Sequence, residues 1–197
     1  MEPVRIVTGR AVPLDRAEVD TDQIISSDWL KSIERTGFGA GLFAEWRANE
    51  DFVLNKPEYE GAQILVAGPN FGIGSSREHA VWALVDYGFR AVVSPRIADI
   101  FKNNSTRSGL VPVVVSHKVG RQLIDAVVAD PDLEITIDVD RRILRAPAIG
   151  LEAPFELDDD ARQRLLGGLD DIGITLAHAE EIDGFESSRP EYLPSIG

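Results

Sequence analysis

The order of apolar runs along the chain predicts a mixed α/β fold. Three observations carry that expectation. Strand-like runs alternate with helical stretches between residues 62 and 115, a glycine turn joins the first of those strands to the first of those helices, and residues 133–139 alternate apolar and polar side chains like a half-exposed strand. The strand–helix–strand order implies parallel pairing through βαβ crossovers, and the later alternation implies an antiparallel addition.

Taken in order, residues 4–14 form a strand region ending in an acidic loop that holds Asp20 and Asp22. Ser27 or Asp28 caps a short helix through residue 33, and Gly37, Gly39 and Gly41 then make a flexible segment. A charged loop containing Pro57 spans residues 49–61. Residues 62–67 read as a buried strand, and residues 80–85 as a helix with an apolar face. A strand at 90–94, a helix at 97–104, a strand at 110–115 and a helical stretch at 123–128 follow. Residues 141–155 add antiparallel strands, and Asp158, Asp159 and Asp160 open a helix through residue 166 that Gly167 and Gly168 stop. Residues 187–197 read as a loose tail, and the whole chain, 1–197, as one domain without internal repeats.

Composition narrows the function. A chain of 197 residues, 44% of them hydrophobic, is enough for a real core. A net charge of −13 argues against binding nucleic acid or an anionic membrane, because phosphate surfaces would be repelled. The chain has no cysteine, which excludes a disulfide framework and a thiolate-bound iron–sulfur cluster within it. No apolar run approaches the ~20 residues of a membrane span, and the N-terminus lacks the apolar core of a signal peptide, so a cytoplasmic location is expected.

The most informative stretch is residues 68–80, Gly-Pro-Asn-Phe-Gly-Ile-Gly-Ser-Ser-Arg-Glu-His-Ala. It sits at the carboxyl end of a strand, where Gly72 and Gly74 can take positive φ and bring backbone close to a ligand. The N–H groups and positive dipole end of the following helix favour negative charge. A phosphate-binding P-loop is excluded because Gly74-Ser75-Ser76 lacks its lysine. A Rossmann turn is excluded because Arg77 stands where the third glycine must be. Arg77 instead offers a planar fork suited to a carboxylate.

A simpler reading stands beside this one. Ser75 and Glu78 have the spacing of a capping box, Arg77 of a surface charge and His79 of an ordinary helix residue, and spacing alone does not choose. Asp20-Thr21-Asp22 reads as a turn with too few oxygens for a hard cation, so no metal site is expected.

The glycine stretch resembles the signature of the small swivelling domain of the aconitase superfamily, and the wider chain is similar to the small-subunit family of bacterial 3-isopropylmalate dehydratases. The similarity runs through Val12-Pro13-Leu14 with Asp20-Thr21-Asp22-Gln23-Ile24-Ile25, then Arg35-Thr36-Gly37-Phe38-Gly39 with Leu42-Phe43 and Trp46-Arg47, and Asp51-Phe52-Val53-Leu54-Asn55. Beyond the glycine stretch it takes in Trp82-Ala83-Leu84 with Asp86-Tyr87-Gly88-Phe89, Ala98-Asp99-Ile100-Phe101 with Asn104, and Asp171-Ile172-Gly173-Ile174-Thr175-Leu176. Two departures stand out: Ile73 replaces a cysteine common in relatives, and Arg107 replaces a second asparagine.

The resemblance implies a three-layer β/β/α swivelling domain with mixed parallel and antiparallel strands. It implies dehydration of 2-isopropylmalate and rehydration to 3-isopropylmalate, a hydro-lyase step of leucine biosynthesis. Ser75 is the implied base, acting as an alkoxide, and Arg77 the implied clamp on a substrate carboxylate. Ser76 would donate a hydrogen bond beside it, with Gly72 and Gly74 supplying backbone N–H groups. Asp20, Asp22, His79 and Asn104 are implied supporting residues, and Phe38 and Leu42, with Leu30 and Ile33, an apolar lining for the isopropyl group. A separate large subunit would carry a four-iron four-sulfur cluster, so this chain would bind no cofactor itself and be inactive alone; self-association in the partner's absence is left open. Two alternatives stand beside this reading: a related hydro-lyase acting on homoaconitate, citraconate or a similar diacid, and a carboxylate-binding module whose serines are only helix caps.

Overall fold

The computed structural model describes residues 1–31, 37–75, 77–169, 173 and 179–187. The strands and helices in chain order are β1 (Ile6–Leu14), β2 (Val19–Asp20), α1 (Thr21–Ile24), α2 (Ala44–Arg47), β3 (Ile64–Ala67), β4 (Phe71–Ile73), α3 (Glu78–Tyr87), β5 (Ala91–Ser94), α4 (Asp99–Arg107), β6 (Val111–Val114), α5 (His117–Ala129), β7 (Glu134–Asp138), β8 (Ile143–Ala146), β9 (Leu151–Pro154), α6 (Asp159–Gly167) and α7 (Ala179–Ser187).

A seven-stranded sheet in the order β6-β5-β3-β1-β7-β8-β9 organises these elements. Strand β1 joins its two parts end to end. Residues 6–10 pair antiparallel with β7, and residues 11–14 pair parallel with β3. The parallel part continues through β5 and β6, and the antiparallel part through β8 and β9. This is the mixed α/β architecture that the alternation of strands and helices predicts.

Every residue of β3 and β5 is buried, as expected of parallel strands covered on both faces. The crossovers β3-α3-β5 and β5-α4-β6 step in the same direction, so the right-handed rule puts α3 and α4 together on one face, where they touch. Helix α5 lies across β1, β3 and β5, seating Leu123, Ile124 and Val127 in the core. Each such Leu, Ile or Val side chain removed from water stabilises the fold by roughly 1.5–3 kcal/mol.

Several boundaries differ from expectation for local reasons. Helix α5 begins at His117, well before residue 123, because the Ser116 side chain accepts from Val119 N and starts the helix on polar residues that carry no apolar signal. The helix expected from Ser27 or Asp28 is a 3-10 turn over Ser27–Lys31, and residues 32–36 lie outside the described residues. The expected tail also lies outside them apart from Ser187, which ends α7, a helix that apolar periodicity did not reveal. The charged loop at 49–61 holds two 3-10 turns, Val53–Asn55 and Pro57–Tyr59.

The glycine turn is shaped by one close contact. Gly72 has φ +74°, and a Cβ there would come within 2.4 Å of the Phe101 ring on α4. The loop therefore presses its backbone against Phe101, which only glycine permits. Gly74, at φ +96°, has its nearest neighbour for a Cβ at 3.4 Å. Gly72→Ala should cost about 2–4 kcal/mol, combining left-handed strain with a core clash, whereas Gly74→Ala should cost only the strain, about 1–2 kcal/mol. Urea unfolding midpoints of the two variants check the difference.

Candidate active site

Parallel pairing of β1 with β3 sends both strands out at the same edge of the sheet, so the segments that follow them meet there. Glu18 N donates to Pro69 O at 2.9 Å, and β2 then pairs parallel with β4, Val19 opposite Phe71 and Asp20 opposite Ile73. A second brace comes from the segment after β5, where Phe71 N donates to Arg96 O and Ala98 N donates to Phe71 O. The loop that carries Ser75 is thus held by backbone bonds from both sides.

Asp20 caps α1. Its Oδ1 accepts from Gln23 N at 2.7 Å while Gln23 Oε1 accepts from Asp20 N at 3.0 Å, a reciprocal capping box. Asp-x-x-Gln was the signal in the sequence that would have found this box. The cap aims the next two residues at the glycine loop. Thr21 Oγ1 donates to the Ser75 carbonyl at 3.0 Å, and Asp22 Oδ1 lies 2.5 Å from Arg77 Nη1. The approach angle of that ion pair leaves the buried Nη1 without a directed hydrogen bond. Arg77 Nε in turn donates to Ser75 Oγ at 3.1 Å. Arg77 has a side chain only 22% exposed, whereas Ser75 faces solvent.

The capping box expected between Ser75 and Glu78 does not form. Helix α3 starts at Glu78 after an extended Arg77 at φ −116°, and no side chain caps it. Other partners hold Ser75 instead, the distant Thr21 at its carbonyl and the neighbouring Arg77 at its hydroxyl. The dipole support expected at Ser75 is displaced with the helix start, leaving Arg77 as the positive group at the hydroxyl.

The other expected site residues spread more widely. Ser76 lies outside the described residues. His79 is half-buried with its ring against Phe38 and Trp82, at centroid distances of 5.3 and 4.7 Å. Asn104 is buried on α4, one turn from the Phe101 that supports Gly72. Phe38 and Leu42 are core residues, 1% and 0% exposed, and offer no surface to a ligand, so the expected apolar lining is corrected to packing. Nothing in the sequence separates those roles, since a core phenylalanine and a pocket phenylalanine read alike. Ile33 lies outside the described residues.

Ser75 is exposed beside a half-buried Arg77. Among the described residues two clefts lie elsewhere, one of about 460 Å³ beside Met1, Gln63 and Arg90 and one of about 710 Å³ beside Arg96, His117 and Phe155, and neither is lined by Ser75 or Arg77. A serine oxygen held by a guanidinium can, as the alkoxide, receive a proton from a molecule brought against it and, as the hydroxyl, return one. Among the described residues no group of three or more His, Cys, Asp or Glu side chains is placed to hold a metal ion, and no helix is long and apolar enough to cross a membrane.

Comparison with known proteins shows the family of the chain. Residues 1–118 match the family model of the aconitase C-terminal domain, and residues 171–194 match that of the C-terminal domain of the 3-isopropylmalate dehydratase small subunit. The 3-isopropylmalate dehydratase small subunit of Frankia alni is 63% identical over 195 residues, covering 99% of each chain. That of Rubrobacter xylanophilus is 58% identical over 196 residues and 100% of each chain. The chain belongs to the 3-isopropylmalate dehydratase small-subunit family. A crystal structure of the 3-isopropylmalate dehydratase leuD protein from Methanocaldococcus jannaschii is similar in fold, with a TM-score of 0.67 and 25% identity over 92% of this chain and 99% of that one. In this member of the small-subunit family, the aconitase-type match runs from β1 through β6 and contains the whole serine–arginine loop.

Asp22→Asn should change folding stability by less than about 1 kcal/mol, because Asp22 is 59% exposed and an ion pair so open to water contributes little. Urea unfolding of the isolated chain checks this.

Proposed function

We propose that this chain is the small subunit of a two-chain 3-isopropylmalate dehydratase, a hydro-lyase that interconverts 2-isopropylmalate and 3-isopropylmalate in leucine biosynthesis. The whole of 1–197 serves as one swivelling domain, in the cytoplasm, and works only against a large subunit. The geometric observation that carries the chemical part of this reading is the 3.1 Å bond from Arg77 Nε to Ser75 Oγ on an open surface.

The reaction needs a base for a proton α to a carboxylate. In this reading Ser75 Oγ, as the alkoxide, takes that proton and becomes the hydroxyl; the C–H electron pair becomes the new double bond as hydroxide leaves the neighbouring carbon with the C–O pair and is protonated to water by an acid of the large subunit. Rehydration to 3-isopropylmalate then adds water the other way round: hydroxyl joins the carbon that lost the proton, and the Ser75 hydroxyl gives its proton to the carbon that lost hydroxyl. Serine is a poor base in water, so its anion needs a donor already in place. Arg77 supplies a charge-assisted one, worth more once the surface is closed from water. The rest of the Arg77 fork holds a substrate carboxylate, while Asp22 orients that fork and Asp20 orients the loop carrying Asp22. Ser76 and the backbone at Gly72 and Gly74 complete the carboxylate cradle, and His79 and Asn104 support it from behind.

The four-iron four-sulfur cluster that the resemblance implies does not fit this chain. It has no cysteine, and its described residues form no metal-ligating cluster. The cluster is therefore assigned to the large subunit, and the steps given to Ser75 and Arg77 do not pass through it.

Anaerobic reconstitution with a cluster-loaded large subunit tests the reading, following the unsaturated intermediate formed from 2-isopropylmalate. Turnover should need both chains, Ser75→Ala should lower kcat about 10²–10⁴-fold, and Arg77→Lys should raise KM by losing the planar fork. Preference for a different diacid would keep the mechanism and change the substrate. Tight assembly without turnover on any diacid would point to a carboxylate-binding module instead.

A further inference from the structure

Thr21 is buried, 3% exposed, and the reading above gives it no part in the chemistry. It lies between the two aspartates at the start of α1, and its hydroxyl donates to the Ser75 carbonyl at 3.0 Å. The same hydroxyl is the atom nearest to where a Cβ on Gly74 would stand, at 3.4 Å, so the loop rests on Thr21 immediately before Ser75. On the other side of Ser75, Arg77 Nε holds the hydroxyl while Asp22 stands against the same guanidinium.

Ser75 is therefore gripped twice from one short segment. Thr21 fixes the peptide that leaves its Cα, and Asp22 acts on its hydroxyl through Arg77. A side chain with one rotatable bond points where its backbone aims it, so fixing the carbonyl and the hydroxyl together sets the direction of Oγ. We propose that Thr21 is a positioning residue for proton transfer: its hydroxyl holds the Ser75 peptide in the orientation that presents Oγ to the substrate, without itself touching the reacting atoms. This rests on the reading of Ser75 as the base. Misplacing a reacting atom by about 1 Å costs up to about 10²-fold in rate, so one lost tether is enough to be measured.

The experiment uses the reconstituted two-chain enzyme with Thr21→Val, Thr21→Ala, Thr21→Ser, Ser75→Ala and the Thr21→Val/Ser75→Ala pair. Thr21→Val should lower kcat about 10–100-fold with KM within about twofold, and Thr21→Ser should restore kcat to within about threefold of the parent. The double variant should be no slower than Ser75→Ala alone, because Thr21 acts through Ser75. The Thr21→Ser and Thr21→Ala variants both remove the methyl and only the second removes the hydroxyl, so a kcat gap between them decides the matter even when Thr21→Val fails to assemble. Equal kcat in those two, or a double variant slower than Ser75→Ala by the full Thr21 factor, overturns the inference while leaving Ser75 as the base. Unchanged kcat in Ser75→Ala instead overturns the base assignment, and the role of Thr21 falls with it.

Discussion

The site depends on the parallel pairing of Ala11–Leu14 in β1 with Ile64–Ala67 in β3. Parallel neighbours release their following loops at the same edge, so the acidic segment after β1 and the glycine segment after β3 emerge side by side. The short β2–β4 ladder continues the pairing past the ends of the main strands and carries Asp20 up to Ile73. Without that register Thr21 would not reach Ser75, and Asp22 would not reach Arg77. The antiparallel pairing of residues 6–10 with β7 leaves this edge untouched, because it uses the other length of the same strand.

The glycine turn adds a second constraint, one of space. Phe101 stands so close to Gly72 that the loop backbone lies on the ring, and Phe71 packs edge-on against the same ring at 5.3 Å. Helix α4, itself buried at Phe101, Asn104, Ser105 and Thr106, thereby acts as a floor for the loop. A loop held between a rigid helix and a backbone ladder suits a site whose chemistry depends on where one hydroxyl points.

Parts of this arrangement were legible in the sequence because their signals are local. The strands at 64–67, 91–94 and 111–114 are runs of β-branched and other apolar residues, and the two loop glycines mark the left-handed positions they occupy. The capping box at Ser75 misled although both of its spacing requirements are met, because the Ser75 hydroxyl accepts from the neighbouring Arg77 and its carbonyl from the distant Thr21. Thr21 is 54 residues from Ser75, and no spacing rule reports a contact across that separation. Phe38 and Leu42 were misplaced because apolar character records the preference for leaving water and not the neighbour that provides the shelter. The roles proposed for Ser75 and Arg77 rest on the family resemblance, and only the folded chain shows the bond between them.

Charge also constrains how such a site works. A net charge of −13 opposes the approach of any dicarboxylate, but that field is screened over about 10 Å at ordinary ionic strength, so affinity has to come from cations at the site itself. Among the described residues Arg77 is the cation that reaches Ser75, and it is shared: Nε serves the hydroxyl and Nη1 faces Asp22. An arginine engaged in this way orients well but does not by itself give a serine a stable anion while water reaches Oγ, and here Oγ belongs to an exposed residue. The missing element is a low-dielectric wall, which would strengthen the Arg77 bond and remove the water that competes for it. In the proposed two-chain enzyme, a large subunit closing over this edge would supply that wall.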